Sequence, residues 1–127
     1  MNDWISRAEE VAMEVLAQHA ETVDQQGQWP DRSLAALAES GLMGLTIPSE
    51  LDGAGEGPST FLEVMQCLSR QCASTGMIYL MHTCATQVIL SATMFSCLGI
   101  NPDEEFYTPE GRPVKIANNG RVLRELM

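Results

Sequence analysis

Trp4, Ala8, Val11, Ala12, Val15, Leu16 and His19 recur at the spacing of one helix face, and Glu9, Glu10 and Glu14 fall largely off it. The pattern predicts a first helix from Asp3, an acceptable N-cap, to His19 or Ala20. Thr22 to Gln28 carries no periodicity and reads as a surface loop. Trp29-Pro30-Asp31 opens a second helix, with Pro30 or Asp31 in its first turn and Leu34, Leu37 and Ala38 as its buried stripe. Gly41 ends it. Leu42, Leu45 and Ile47 then form a short apolar connector bounded by glycines and closed by Pro48. Gly41 and Gly44 permit backbone angles that other residues resist, so the helix can stop in a left-handed cap.

Gly55 to Pro58 is a second break, and Thr60-Phe61-Leu62-Glu63 fits a capping box at the start of a third helix. That helix is expected to carry Leu62, Val64, Met65 and Leu68 inward and to end near Cys72. Ser74 or Thr75 caps a fourth, longest helix. At about 100° per residue, Met77, Met81, Cys84, Val88, Ala92 and Phe95 make one apolar face. Tyr79, His82, Thr83, Thr86, Gln87 and Thr93 gather opposite, polar but neutral. A solvated face normally carries charge, so this stripe is expected to meet protein or a ligand. Beyond Gly99, Asn101-Pro102, Pro109-Glu110-Gly111 and Asn118-Asn119-Gly120 are turn signals. Val114-Lys115-Ile116 reads as a short extended piece, and Arg121 to Leu126 as the start of a further helix. The fold class is therefore all-α, a helical bundle of about four main helices over residues 1–100 with an irregular tail over 101–127, in one domain.

Composition supports this. The chain has 127 residues, 45% of them hydrophobic, enough for a core. Its formal net charge of −10 argues against nucleic acid and anionic membrane as partners. No Asp, Glu, Lys or Arg occurs between Gln71 and Pro102, and residues 77–98 would span about 33 Å as a helix, long enough to cross a bilayer. The same run holds His82, Thr86, Gln87 and Ser91 and lacks a basic flank, which favours the central helix of a soluble bundle. Cys67, Cys72, Cys84 and Cys97 match no metal or redox spacing and read as buried free thiols of a reducing cytoplasm.

Candidate chemistry is sparse. Gly53-Ala54-Gly55 lacks the preceding strand and third glycine of a nucleotide fingerprint. His19 and His82 stand far apart without an acid or thiol at ligand spacing, so no metal site is expected. His82 is either a core or interface histidine bonded to a carbonyl, or a polar group lining a cavity beside Tyr79.

Several of these segments occur in an order that resembles a known family. They are Leu34 to Gly44, then Leu45-Thr46-Ile47-Pro48-Ser49-Glu50 leading into Gly53-Ala54-Gly55. Glu63-Val64-Met65 to Arg70, the Cys72-Ala73-Ser74-Thr75-Gly76 turn and His82 six residues later follow. Over residues 5–98 the chain resembles the N-terminal helical domain of the acyl-CoA dehydrogenase and oxidase superfamily of flavoproteins. Asp52 departs from that pattern by standing at the first of two adjacent family glycines, and 101–120 does not match. Val122 to Leu126 again resembles the family's next helix, which leads into a β-domain.

The resemblance implies a complete enzyme that holds FAD and removes hydrogens from the α and β carbons of an acyl-CoA. The catalytic base and most flavin contacts belong to its β and C-terminal domains, so this chain is expected neither to catalyse nor to bind flavin tightly alone. It also implies that Ile78, Tyr79 and His82 line the far end of the acyl cavity as substrate-binding residues, and that the full-length form is a cytoplasmic homo-oligomer. The alternatives are a stand-alone helical interaction module derived from the family, and a membrane-anchored helical protein.

Overall fold

The amphipathic pattern that begins at Asp3 does not stop at Ala20. In the computed structural model, which describes residues 3–101 and 104–115, helical backbone runs without a break from 3 to 26. It comprises α1 (Asp3–Val11), a π-helical segment (Ala12–Leu16) and α2 (Ala17–Gln26). The expected loop from Thr22 is thus helix as far as Gln26, and Gly27 ends it at φ 63°. The physical reason is that the left-handed glycine, not the loss of apolar period, sets the stop. The wider π turn keeps Ala8, Ala12 and Leu16, four residues apart, all buried.

α3 (Asp31–Glu39) buries Ser33 and Leu37, whereas Ala38, expected inside, is exposed. Gly41 (φ 80°) follows, and a side chain there would meet the Trp4 ring. Arg7 stacks over that ring at 4.7 Å and donates to the Ser40 carbonyl, placing a cation at the C-terminal end of α3.

The connector is two 3₁₀ turns, Leu42–Gly44 and Ser49–Leu51. Leu42 and Leu45 are buried in it, and Ile47 is half-buried. α4 (Pro58–Gln71) starts two residues before the expected capping box, because Pro58 takes the first helical position. Thr60 is therefore already inside the helix, and its hydroxyl donates to the Glu56 carboxylate at 2.8 Å. Val64 and Leu68 are buried as expected, but Leu62 is 60% exposed.

α5 (Ala73–Cys97) is capped by neither Ser74 nor Thr75. Cys72 is extended, and its sulfur accepts from the Thr75 amide at 3.5 Å and from the Thr75 hydroxyl at 3.2 Å. Ser74 instead donates to Asp24 at 2.5 Å, tying α5 to α2.

The chain divides into two compact units, Met1–Thr83 and Cys84–Met127, and α5 enters both. The first unit holds a core of Ala8, Ala12, Leu16, Val23, Leu37, Leu42, Leu45, Val64, Leu68, Cys72 and Tyr79. In it α1 and the π segment pack on α4 and on α3. α4 and α5 approach closely at Gly76, where a Cβ would fall 2.3 Å from the Ser69 hydroxyl oxygen. The second unit contains the rest of α5 and an antiparallel hairpin, β1 (Glu105–Tyr107) with β2 (Pro113–Lys115), in register Phe106↔Val114. The hairpin turns at Pro109-Glu110-Gly111, as its sequence predicts. Ile116, the Asn118-Asn119-Gly120 turn and the helix from Arg121 lie outside the described residues.

The neutral stripe of α5 meets protein as expected at Tyr79, Thr83 and Thr93, but the apolar face is not the inner one: of it Ala92 is buried and Met77, Met81 and Cys84 are exposed. Thr75, Tyr79, Thr83 and Thr93 are buried, while Met77 and Met81 are 57% and 66% exposed. Small and hydroxylated residues permit close approach, and their hydroxyls find partners locally or across the interface, so they bury at little cost. The longer methionines are left outward. All four cysteines are free thiols, but only Cys72 is buried; Cys84 and Cys97 are exposed and Cys67 is intermediate.

Candidate functional site

The polar residues of the first half of α5 converge on the connector. Tyr79 is fully buried, and its hydroxyl donates to the Leu42 carbonyl at 2.8 Å. Its ring lies 5.8 Å from that of Phe61 on α4, tilted by 34°. Burial raises the Tyr79 pKa, since the phenolate would have to form without water. One turn later His82 Nε2 lies 3.0 Å from the Met43 carbonyl, which requires the proton on that nitrogen. Tyr79 and His82 thus hold two consecutive carbonyls of the 3₁₀ turn. Of the three residues expected at the site, Tyr79 has no accessible surface, Ile78 is half-buried and His82 is exposed.

The second glycine-bounded stretch shows what this chain can and cannot hold. The amides of Gly53, Ala54, Gly55 and Glu56 donate to the carbonyls of Pro48, Gly44, Ile47 and Leu45 at 2.8–3.1 Å. Four consecutive donors are therefore committed to the connector and cannot cradle a phosphate. Asp52 adopts φ 60°, a left-handed conformation that suits glycine. Gly53 is required for space, because a Cβ there would fall 2.1 Å from the Ile47 carbonyl oxygen. Among the described residues no cluster of His, Cys, Asp and Glu could hold a metal ion.

Surface cavities occur elsewhere among the described residues. One of about 170 Å³ at the α2–α3 corner is lined by residues that include His19, Trp29, Arg32 and Ser33. Another of about 260 Å³ is lined by Glu9, Ala12, Met13, Cys67, Arg70 and Gln71. Sequence reasoning passed over Ser33, whose hydroxyl is buried without a partner; its spacing of four from Leu37 on the inner face was the available signal. His19 Nδ1 is bonded to the Val15 carbonyl at 2.8 Å. Burial, with Glu9 nearby, raises the Cys67 pKa, so this thiol is a poor nucleophile.

The chain belongs to the acyl-CoA dehydrogenase family, its residues 2–93 matching the model of the acyl-CoA dehydrogenase N-terminal domain. It is similar to a probable acyl-CoA dehydrogenase, YngJ, of Bacillus subtilis (strain 168), with 35% identity over 68 residues, 54% of this chain and 18% of that protein. It is also similar to the mitochondrial short-chain specific acyl-CoA dehydrogenase of Sus scrofa, with 39% identity over 59 residues, 46% of this chain and 14% of the relative. Mitochondrial isovaleryl-CoA dehydrogenase of Solanum tuberosum shares 35% over 86 residues, 65% of this chain and 21% of that enzyme. The chain therefore spans about a fifth or less of the length of these relatives. No solved structure matches it.

Proposed function

We propose that this chain is the N-terminal helical part of an FAD-dependent acyl-CoA dehydrogenase-type oxidoreductase, and that it supplies part of the acyl-chain pocket without catalysing alone. The observation that carries the reading is the family match over residues 2–93, in which the first turns of α5 are fastened to the glycine-bounded connector. On this reading Ile78 and His82 present the wall met by the far end of the acyl chain. Tyr79 acts from beneath, fixing the wall by its bond to Leu42. The committed amides of 53–56 do not fit a flavin phosphate, so the domains that follow in the relatives hold FAD. The partner is acyl-CoA, reached through the complete enzyme, a cytoplasmic homo-oligomer. The net charge of −10 supports no role in nucleic-acid or anionic-membrane binding.

The test begins with the purified chain, which is expected to be colourless and inactive toward acyl-CoA. A chimera carrying residues 3–97 in place of the matching part of a short-chain acyl-CoA dehydrogenase is expected to bind FAD and turn over. In it, Ile78→Phe should shift preference toward shorter acyl chains, by about tenfold or more in relative kcat/KM for the longer substrate. An unchanged chain-length profile overturns the pocket assignment. Stoichiometric flavin with turnover by the chain alone overturns its dependence on other domains.

A further inference from the structure

The N-terminal end of α3 carries donors that the protein itself does not use. Pro30 holds the N-cap position, where Ser, Thr, Asp or Asn ordinarily bonds a free amide, and it supplies no side-chain cap. The Asp31 amide donates to the Trp29 carbonyl at 2.9 Å and the Leu34 amide to the Pro30 carbonyl at 3.0 Å. Between them, the amides of Arg32 and Ser33 have no partner among the described residues. The Ser33 hydroxyl is a third such group, on a side chain that is only 1% exposed. A hydroxyl buried without a partner is unfavourable, so it marks a place that something else completes. Arg32 is exposed, and its guanidinium makes no hydrogen bond or ion pair among the described residues, although acidic side chains outnumber basic ones 17 to 7. Arg32 and Ser33 line the same cavity of about 170 Å³, with His19 and Val23 of α2 and Trp29 of the turn.

We propose that this cavity binds a phosphate group, held by the amides of Arg32 and Ser33, the Ser33 hydroxyl and the Arg32 guanidinium. A helix N-terminus favours negative charge, and here its unused amides stand beside a buried hydroxyl and an unpaired cation. A phosphate offers four oxygens to these donors where a carboxylate offers two. One water does not fill the space, since its share of liquid volume is roughly 30 Å³. His19 has only Nε2 left for a ligand, because Nδ1 is committed to the Val15 carbonyl at 2.8 Å. Asp31 also lines the cavity, and its carboxylate opposes an anion, which keeps the affinity modest. The lining residues all belong to the first unit and include none of Ile78, Tyr79 and His82, so the inference goes beyond the acyl pocket and does not rest on it.

Titrating the ¹⁵N-labelled chain with inorganic phosphate at constant ionic strength is expected to move the Arg32 and Ser33 amide resonances saturably, with a Kd of ~1 mM. Arg32→Gln should weaken binding at least ~10-fold and Ser33→Ala ~3–10-fold, whereas Asp31→Asn should tighten it ~3-fold. Ser33→Ala removes an unpaired hydroxyl, so without phosphate its Tm should equal or exceed that of the parent, which separates lost binding from lost fold. Glycerol 3-phosphate distinguishes the source: tighter binding than inorganic phosphate assigns the site to a phosphate ester, and weaker binding to the free ion. Shifts that do not saturate, that acetate reproduces at the same concentration, or that survive Arg32→Gln and Ser33→Ala together overturn the proposal.

Discussion

Replacing Tyr79 by Phe removes one oxygen atom from the core and tests whether α5 is held by its bond to the connector. The ring is fully buried and packs against Phe61, so Phe fills the same volume and the change isolates the hydroxyl. What is lost is the 2.8 Å bond to Leu42. The Leu42 carbonyl keeps the Leu45 amide at 3.2 Å, so the loss is that of one net hydrogen bond, about 0.5–1.5 kcal/mol. For a chain of this size that corresponds to roughly 2–6 °C in Tm. Urea unfolding followed by circular dichroism measures the difference, and an unchanged m-value shows that only stability has moved. pH supplies a second signature. Burial raises the Tyr79 pKa in the folded chain, so the folded state keeps its proton where the unfolded state releases it. The stabilisation is present in full below the ordinary tyrosine pKa of about 10 and is lost as pH rises beyond it. Tyr79→Phe should remove that alkaline loss. A variant within about 0.5 kcal/mol of the parent, or one with the same alkaline slope, refutes the argument that this hydroxyl fastens α5.

Two adjacent positions in the connector should respond in opposite directions. Asp52 occupies the left-handed region at φ 60°, so Asp52→Gly is expected to raise stability by about 0.5–1 kcal/mol in chemical denaturation. Gly53→Ala places a methyl 2.1 Å from the Ile47 carbonyl oxygen and 2.4 Å from its Cβ. It should cost roughly 2–4 kcal/mol by the same measurement, since the backbone must part and the bonds of residues 53–56 weaken.

The existence of the helices was legible because Ala8, Ala12, Leu16, Leu37, Val64 and Leu68 repeat with helical period and are all buried. Their ends were less so. Thr22 to Gln26 offers only Val23 to the core, and such a polar segment gives periodicity nothing to detect. The start of α4 was misplaced for another reason: Thr60 and Glu63 fit a capping box, but Pro58 was already fit for the first turn. The left-handed backbone at Asp52 was not read in advance: the resemblance marked it only as a departure from a family glycine, and from the chain alone it is an ordinary acidic loop residue.

The orientation of α5 was legible only in part, for a reason that bears on the site itself. The missing charge marked the stripe of Tyr79 and Thr83 as one that meets protein, but hydrophobicity also sent Met77 and Met81 inward, because it charges each competing hydroxyl the full cost of leaving water. That cost vanishes when a partner is waiting. Leu42 presents its carbonyl to Tyr79 and Cys72 its sulfur to Thr75, while Thr93 turns back to the Ile89 carbonyl at 3.0 Å. Gly76 then lets α5 approach Ser69 more closely than a methionine face could. The same packing separates the three residues expected at the site. Tyr79 becomes an anchor beneath the surface, whereas Ile78 and His82 keep surface that a ligand can touch. A substitution at Tyr79 should therefore act on stability first, and one at Ile78 on acyl selectivity, so comparing the two in the chimera separates fastening from recognition.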